Sequence, residues 1–133
     1  MEVKIDTKEK FTVVTPIEAS NTANIAATLI PICNKLLHEP IKNVVLNMEY
    51  IKTIDHDFAK QLMAIQEEFY ENSASFVICN LSDIASSQLE TFEIEEMLNI
   101  TPTESEAWDI VQMEEIEREL LDGDDISFET SPS

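Results

Sequence analysis

Asp55, His56 and Asp57 stand side by side, an imidazole between two carboxylates. Acid–base catalysis here would use His56 with Asp55 or Asp57 as its orienting partner, inside a pocket that perturbs one of them. The sequence offers no second cluster to complete such a site. A metal ion needs several converging ligands, and neighbours on a helix diverge by about 100° each. At most two of the three share one ion, and His38 lies on another helix end. A phospho-accepting aspartate would want acidic residues at strand ends together with a lysine, and no acidic pair follows the first strand. The expectation is a chain that is not an enzyme and holds no metal or cofactor. What the cluster does suit is a helix start. A carboxylate there caps the backbone, and negative charge favours the positive end of the helix dipole.

Composition narrows the partners. The 133 residues include 27 acidic and 8 basic ones, for a net charge of −19. Nucleic-acid binding needs a basic footprint, and an anionic membrane surface would repel this chain. The one glycine is Gly123, so a glycine-rich phosphate loop is excluded. No apolar run is long enough to span a bilayer. Cys33 and Cys79 sit inside apolar runs and read as reduced core thiols of a cytoplasmic protein. Charge is also uneven. Residues 1–89 hold 12 acidic and 7 basic groups, whereas residues 90–133 hold 15 acidic groups and one basic group, Arg118.

The elements that must position Asp55–Asp57 follow from hydrophobic period. Val3–Asp6 and Phe11–Thr15 alternate in steps of two and predict paired strands, with a turn at 7–10 and an end at Pro16. Ser20, Asn21 or Thr22 caps a first helix with Ile25, Leu29, Ile32 and Leu36 on its apolar face. Pro31 lies inside that helix, which stops before Pro40. Val44–Leu46 is a strand buried on both sides. Asp55 opens a second helix whose inward stripe is Phe58, Leu62, Ile65 and Phe69. Phe76–Cys79 is the next strand. Ser82 caps a third helix with Leu81, Ala85 and Leu89 inward. Met97–Thr101 is a last strand, and Thr103–Glu106 is a capping box that starts a fourth helix. Strands alternating with helices predict an α/β domain with a mixed, mostly parallel sheet of about five strands and about four helices.

The order and the residues together resemble the STAS domain of anti-sigma factor antagonists. Asn43-Val44-Val45-Leu46-Asn47-Met48, followed by Tyr50–Asp55, is similar to the family's central strand and the loop to its switch site. Phe76–Ser82 is similar to the next strand and helix start, and Ile100–Ala107 to the closing segment. In partner-switching members, the aspartate at the head of the second helix precedes a serine, a small residue and a glycine. An anti-sigma factor of the histidine-kinase-like ATPase type phosphorylates that serine, and the added charge breaks the docking surface. Here the aspartate is Asp55, the serine position is His56, the small residue is Asp57 and the glycine is Phe58. Glu18 stands near another acidic position of the family. The resemblance implies a non-enzymatic adaptor that docks a protein partner through Thr53, Asp55, His56, Asp57, Phe58 and Lys60, without the serine switch. Replacing His56 by serine together with Phe58 by glycine would rebuild the acceptor pattern. In one reading Asp57 supplies a fixed charge that selects the partner; in the other, residues 55–57 only open the helix. The resemblance also leaves open a subunit of a transporter or sensory assembly, or a ligand-sensing domain.

The likeness ends near residue 112, yet the helical pattern continues to Leu121. Met113, Ile116 and Leu120 form a new apolar stripe flanked by Glu114, Glu115, Glu117 and Glu119. Either this extension lies back over the domain, or it is a docking or homodimer helix. Residues 122–133 read as an acidic disordered tail.

Overall fold

A computed structural model describes residues 2–17 and 22–123. The expected caps Ser20 and Asn21, the Glu18 position and residues 124–133 of the expected tail lie outside the described residues, while residues 122 and 123 of that tail are helical. The elements run β1 (Glu2–Thr7), β2 (Thr12–Ile17), α1 (Thr22–Leu36), β3 (Val44–Asn47), α2 (His56–Glu71), β4 (Phe76–Cys79), α3 (Asp83–Thr91), β5 (Ile100–Thr101) and α4 (Glu104–Gly123). One five-stranded sheet has the order β1-β2-β3-β4-β5. β1 pairs antiparallel with β2, and every later pair is parallel.

That order fixes the layers. Parallel neighbours in sequence order need right-handed crossovers, which put all the connecting helices on one face. Accordingly Val14, Val44, Leu46, Phe76 and Ile78 pack with Ile25 and Leu29 of α1, Leu62 and Phe69 of α2, and Leu89 of α3. The other face is left to α4. There Phe11, Val13, Val45, Val77 and Cys79 pack with Ala107 and Val111. Trp108 stacks on Phe11 with ring centroids 5.0 Å apart.

The strands and helices follow the sequence pattern with three corrections. β2 does not end at Pro16, which lies opposite Val3 in the hairpin. The parallel ladder to β3 stops at Val14, so the missing N–H of Pro16 leaves no gap on that side. In α1 the buried row is Ile25, Leu29 and Cys33, followed by Leu37, while Ile32 and Leu36 are half-buried. A row of four-residue steps is the ridge a helix uses when it crosses its neighbour obliquely. The last strand is two residues long, and Glu95–Met97 is a 3₁₀ turn instead. The side-chain amide of Gln66 supplies the pairing that a strand neighbour would have given. Its Nε2 donates to the Met97 carbonyl at 2.8 Å, and its Oε1 accepts from the Asn99 N–H at 2.8 Å.

Scarcity of glycine shows at the helix ends. α2 and α3 both close with paired bonds back into the last turn, Ala74 N–H to Phe69 and Ser73 N–H to Tyr70, then Ile94 N–H to Leu89 and Glu93 N–H to Glu90. The left-handed residue that glycine usually fills is Ser73 in one (φ 58°) and Glu93 in the other (φ 60°).

The two cysteines are free and buried, on opposite faces of the sheet. Burial, with Glu68 nearby, pushes the Cys33 thiol from 9.0 to about 12. Burial, with Glu104 and Glu49 nearby, does the same to Cys79. The folded chain therefore holds both protons more tightly than the unfolded chain. The stability this gives is complete below an ordinary thiol pKa of about 9 and is lost as pH rises toward 12. Denaturant titrations across that window should show stability falling with pH, and Cys33→Ala with Cys79→Ala should flatten the slope. A slope unchanged by the substitutions would assign the loss to other groups.

Candidate functional site

The head of α2 rises from the C-terminal end of β3, at the end of a loop held from below. Met48 N–H bonds the Cys79 carbonyl at 3.0 Å, and Ile51 N–H bonds Met48 at 3.0 Å. Ile51 and Ile54 are buried at 2% and 0% exposure and act as pegs into the core. α3 grips the same loop twice. Gln88 Oε1 accepts from Ile54 N–H at 2.6 Å, and Ser82 Oγ donates to the Lys52 carbonyl at 2.8 Å. Between the pegs, Lys52 and Thr53 are left exposed.

Asp55 is the N-cap of α2, with its backbone extended and its Oδ1 accepting from Phe58 N–H at 2.8 Å. Its backbone carbonyl takes the first helical bond, from Ala59 N–H at 3.0 Å. His56 is exposed and sets its ring edge-on to Phe92 at the end of α3, with centroids 5.1 Å apart. Asp57 and Lys60 are exposed beside it. Phe58 is not a surface contact. Its side chain is 1% exposed and belongs to the core, because the cap turns residue 58 under the first turn. The structure thus brings Thr53, Asp55, His56, Asp57 and Lys60 to one surface and sets Phe58 beneath them.

The carboxylate of Asp55 is engaged by its own helix. Among the described residues no three His, Cys, Asp or Glu side chains are placed to hold a metal ion. What the surface offers is a rigid, charged and accessible helix head, suited to contact with another macromolecule.

Three neighbours of this head were not singled out by sequence reasoning. Gln88 and Phe92 brace it from α3, and Tyr50 is 51% exposed on the loop that leads to it. Only tertiary contact distinguishes Gln88 from any other surface glutamine. On the other face of the sheet end, Asn47 Oδ1 accepts from Glu49 N–H at 3.0 Å and from Asn80 Nδ2 at 3.2 Å. This ties the loop after β3 to the loop after β4.

The other candidate surface lies at the opposite end of the sheet. α4 is continuous through residue 113, and it is a polar stripe that lays its second half on the domain. Glu114 accepts from Tyr70 Oη at 2.7 Å, from Ser75 Oγ at 2.5 Å and from Asn99 Nδ2 at 3.1 Å. Asn99 Nδ2 also contacts the Tyr70 hydroxyl. Lost hydration and the Glu114 carboxylate push the Tyr70 phenol above its usual range. Asn43 joins in, donating to Glu115 at 2.8 Å, while Arg118 reaches Ser75 Oγ at 3.2 Å. Asn43 and Ser75 immediately precede β3 and β4, so these anchors sit at the N-terminal ends of strands whose C-terminal ends carry the α2 head. Met113, Ile116 and Leu120 do not lie back over the domain; all three are exposed.

The five-strand mixed sheet, with three helices on one face and one on the other, accords with the sequence match. Residues 2–107 match the STAS domain family. The chain belongs to that family. Solved STAS structures share the fold at low identity. RsbS of Moorella thermoacetica is 13% identical, with a TM-score of 0.67 over 89% of this chain and 99% of that one. The anti-sigma factor antagonist SpoIIAA in its unphosphorylated form is 12% identical, with a TM-score of 0.65 over 84% and 97%. SLC26A9 is also 12% identical, with a TM-score of 0.62 over 83% of this chain but only 21% of that much longer one. No curated protein sequence matches this STAS chain. Among its described residues, no helix is long and apolar enough to cross a membrane.

Proposed function

We propose that this STAS domain is a non-enzymatic, cytoplasmic regulatory adaptor of the anti-sigma factor antagonist kind. It docks a protein partner through the head of α2, by way of Thr53, Asp55, His56, Asp57 and Lys60. The observation that carries this is the braced loop: α3 and the core fix the helix head, and Lys52, Thr53, Asp55, His56, Asp57 and Lys60 face outward with charged and polar groups. A surface that is pre-organised loses little entropy on binding. The partner expected from the family is an anti-sigma factor of the histidine-kinase-like ATPase type.

His56 stands where partner-switching members carry the acceptor serine, so the serine switch is absent. Asp57 keeps a fixed negative charge one position on. The adaptor would then be constitutive, with its engagement set by partner supply and not by phosphate. A second reading draws on the likeness to SLC26A9, in which the same fold makes up about a fifth of a longer chain. There the domain would serve as one piece of a transporter or sensory assembly.

Affinity capture of the tagged full-length protein from its own cells, beside an Asp57→Lys variant, tests both readings. Charge reversal at a docking surface is expected to weaken binding about tenfold or more. An ATPase of the anti-sigma class held by the wild type and lost by Asp57→Lys is the expected result. A permease-associated or scaffold protein would favour the second reading. A partner retained equally by both proteins would move the docking surface away from the α2 head.

A further inference from the structure

α4 carries two faces of opposite chemistry. Ala107, Val111, Glu114, Glu115 and Arg118 follow at i, i+4, i+7, i+8 and i+11, which is one helical stripe. Ala107 and Val111 are fully buried on the sheet. Glu114, Glu115 and Arg118 continue that stripe past the strand ends and bond to Ser75 and Asn43. These bonds fix the rotation of the helix. Met113, Ile116 and Leu120 are consequently turned to the opposite side, at 60%, 55% and 65% exposure. Leu121, just past the anchors, is exposed as well. A helix that served only to cover the sheet would have no use for large apolar groups there. A contiguous apolar stripe on a surface marks an interface.

We infer that this stripe is a second docking surface, and that its occupant is a basic amphipathic helix of a partner protein laid along α4. Charge decides the occupant. Asp109, Glu117 and Glu119 flank the stripe and are exposed. Arg118 is the sole cation of residues 90–133, and it is turned inward to Ser75 and Asn43. A second copy would bring the same carboxylates against these, and like charges across an interface are costly. The segment after Gly123 opens with Asp124 and Asp125 and has the same sign. A partner helix with apolar residues at i, i+3 or i+4 and i+7, flanked by Lys or Arg, meets both demands. The stripe lies at the far end of the sheet from the α2 head and on the other face. The two surfaces can be engaged together, and the inference does not rest on the function proposed for the α2 head.

The test titrates the full-length protein against a fluorescein-labelled peptide of about 18 residues, leucine and lysine patterned as an amphipathic helix. A scrambled peptide of the same composition has the same charge and no apolar face. The wild type is expected to prefer the patterned peptide about tenfold or more. Met113→Ser, Ile116→Ser and Leu120→Ser combined should abolish that preference without lowering the melting temperature, and Asp57→Lys should leave it intact. Equal binding of the two peptides would reduce the surface to bulk charge, and a preference that survives the triple substitution would place the peptide site elsewhere on the protein; either result would overturn the inference. So would a fall in melting temperature, which would make the stripe part of the fold. A wild-type dimer in sedimentation equilibrium that the triple variant abolishes would name a second copy instead. Peptide binding gained only with Ile126→Ser and Phe128→Ser would name the chain's own tail. Co-sedimentation with phosphatidylcholine vesicles that the triple variant loses would name a membrane.

Discussion

Phe58→Ala should destabilise the domain by about 3–5 kcal/mol, a large share of what holds a domain of this size together. The ring is 1% exposed and packs in the main core with Leu62, Ile65 and Phe69 on the same helix face. Truncation removes buried apolar area and leaves a cavity in the main core. Denaturant unfolding read by tryptophan fluorescence and by circular dichroism measures the loss. A change under about 1 kcal/mol would mean that the first turn of α2 is not seated on the core as described.

The same residue bears on any test of the proposed loss of a serine switch. The resemblance implies glycine at this position, so it points to His56→Ser with Phe58→Gly as the reconstruction. In this fold Phe58→Gly would add a helix-propensity cost of about 1 kcal/mol to the loss of the ring. The double variant would be expected to unfold before any kinase met it. His56→Ser alone leaves the core whole and loses only the edge contact with Phe92. It should fold with stability within about 1 kcal/mol of the wild type. Phosphate transfer to it from a captured partner kinase, absent in the wild type, would support the adaptor reading.

Asn43→Ala should cost about 2–4 kcal/mol and release the second half of α4. The amide of Asn43 uses all its capacity. Nδ2 donates to the Lys10 carbonyl at 3.0 Å and to Glu115 at 2.8 Å, while Oδ1 accepts from Ser75 N–H at 2.8 Å and from Arg118 at 3.5 Å. Ser75 is 0% exposed, so its N–H would be left buried and unpaired. Glu115 and Arg118 can turn to water, so most of the penalty comes from Ser75. Hydrogen exchange separates the two consequences. Amides of residues 114–121 should lose protection well beyond the global change, while those of β3 and β4 follow global stability. Uniform loss across the chain would show that Asn43 serves the sheet ends alone and does not hold α4.

Much of this fold is legible without coordinates. Period two marks β1 and β2, continuous apolar runs mark β3 and β4, the 3.6 period marks the helices, and Asp55, Ser82 and Thr103 announce three helix starts by local chemistry. Such signals travel within a few residues, where backbone geometry alone carries them. The sequence pattern predicts a longer β5 than the fold contains, because Gln66, more than thirty residues away along the chain, pairs with residues 97 and 99 in place of a strand. The site divides along the same line. That residues 55–57 cap a helix was readable. That Phe58 points down, and that Gln88, Ser82 and Phe92 brace the loop, was not.

The sequence by itself determined the STAS topology, central strands buried on both sides and the acidic bias toward the carboxyl end. Each of these is a matter of residue type and short-range order. Only the tertiary structure decided which side of α4 faces the domain. A stripe of Met113, Ile116 and Leu120 and a stripe of Glu114, Glu115 and Arg118 compete for the inward position, and hydrophobicity alone would choose the first. The strand starts present Asn43 and Ser75 at that point, and the end of α2 presents the Tyr70 hydroxyl. Buried polar groups must be paired, so the charged stripe turns in and the apolar one is left exposed.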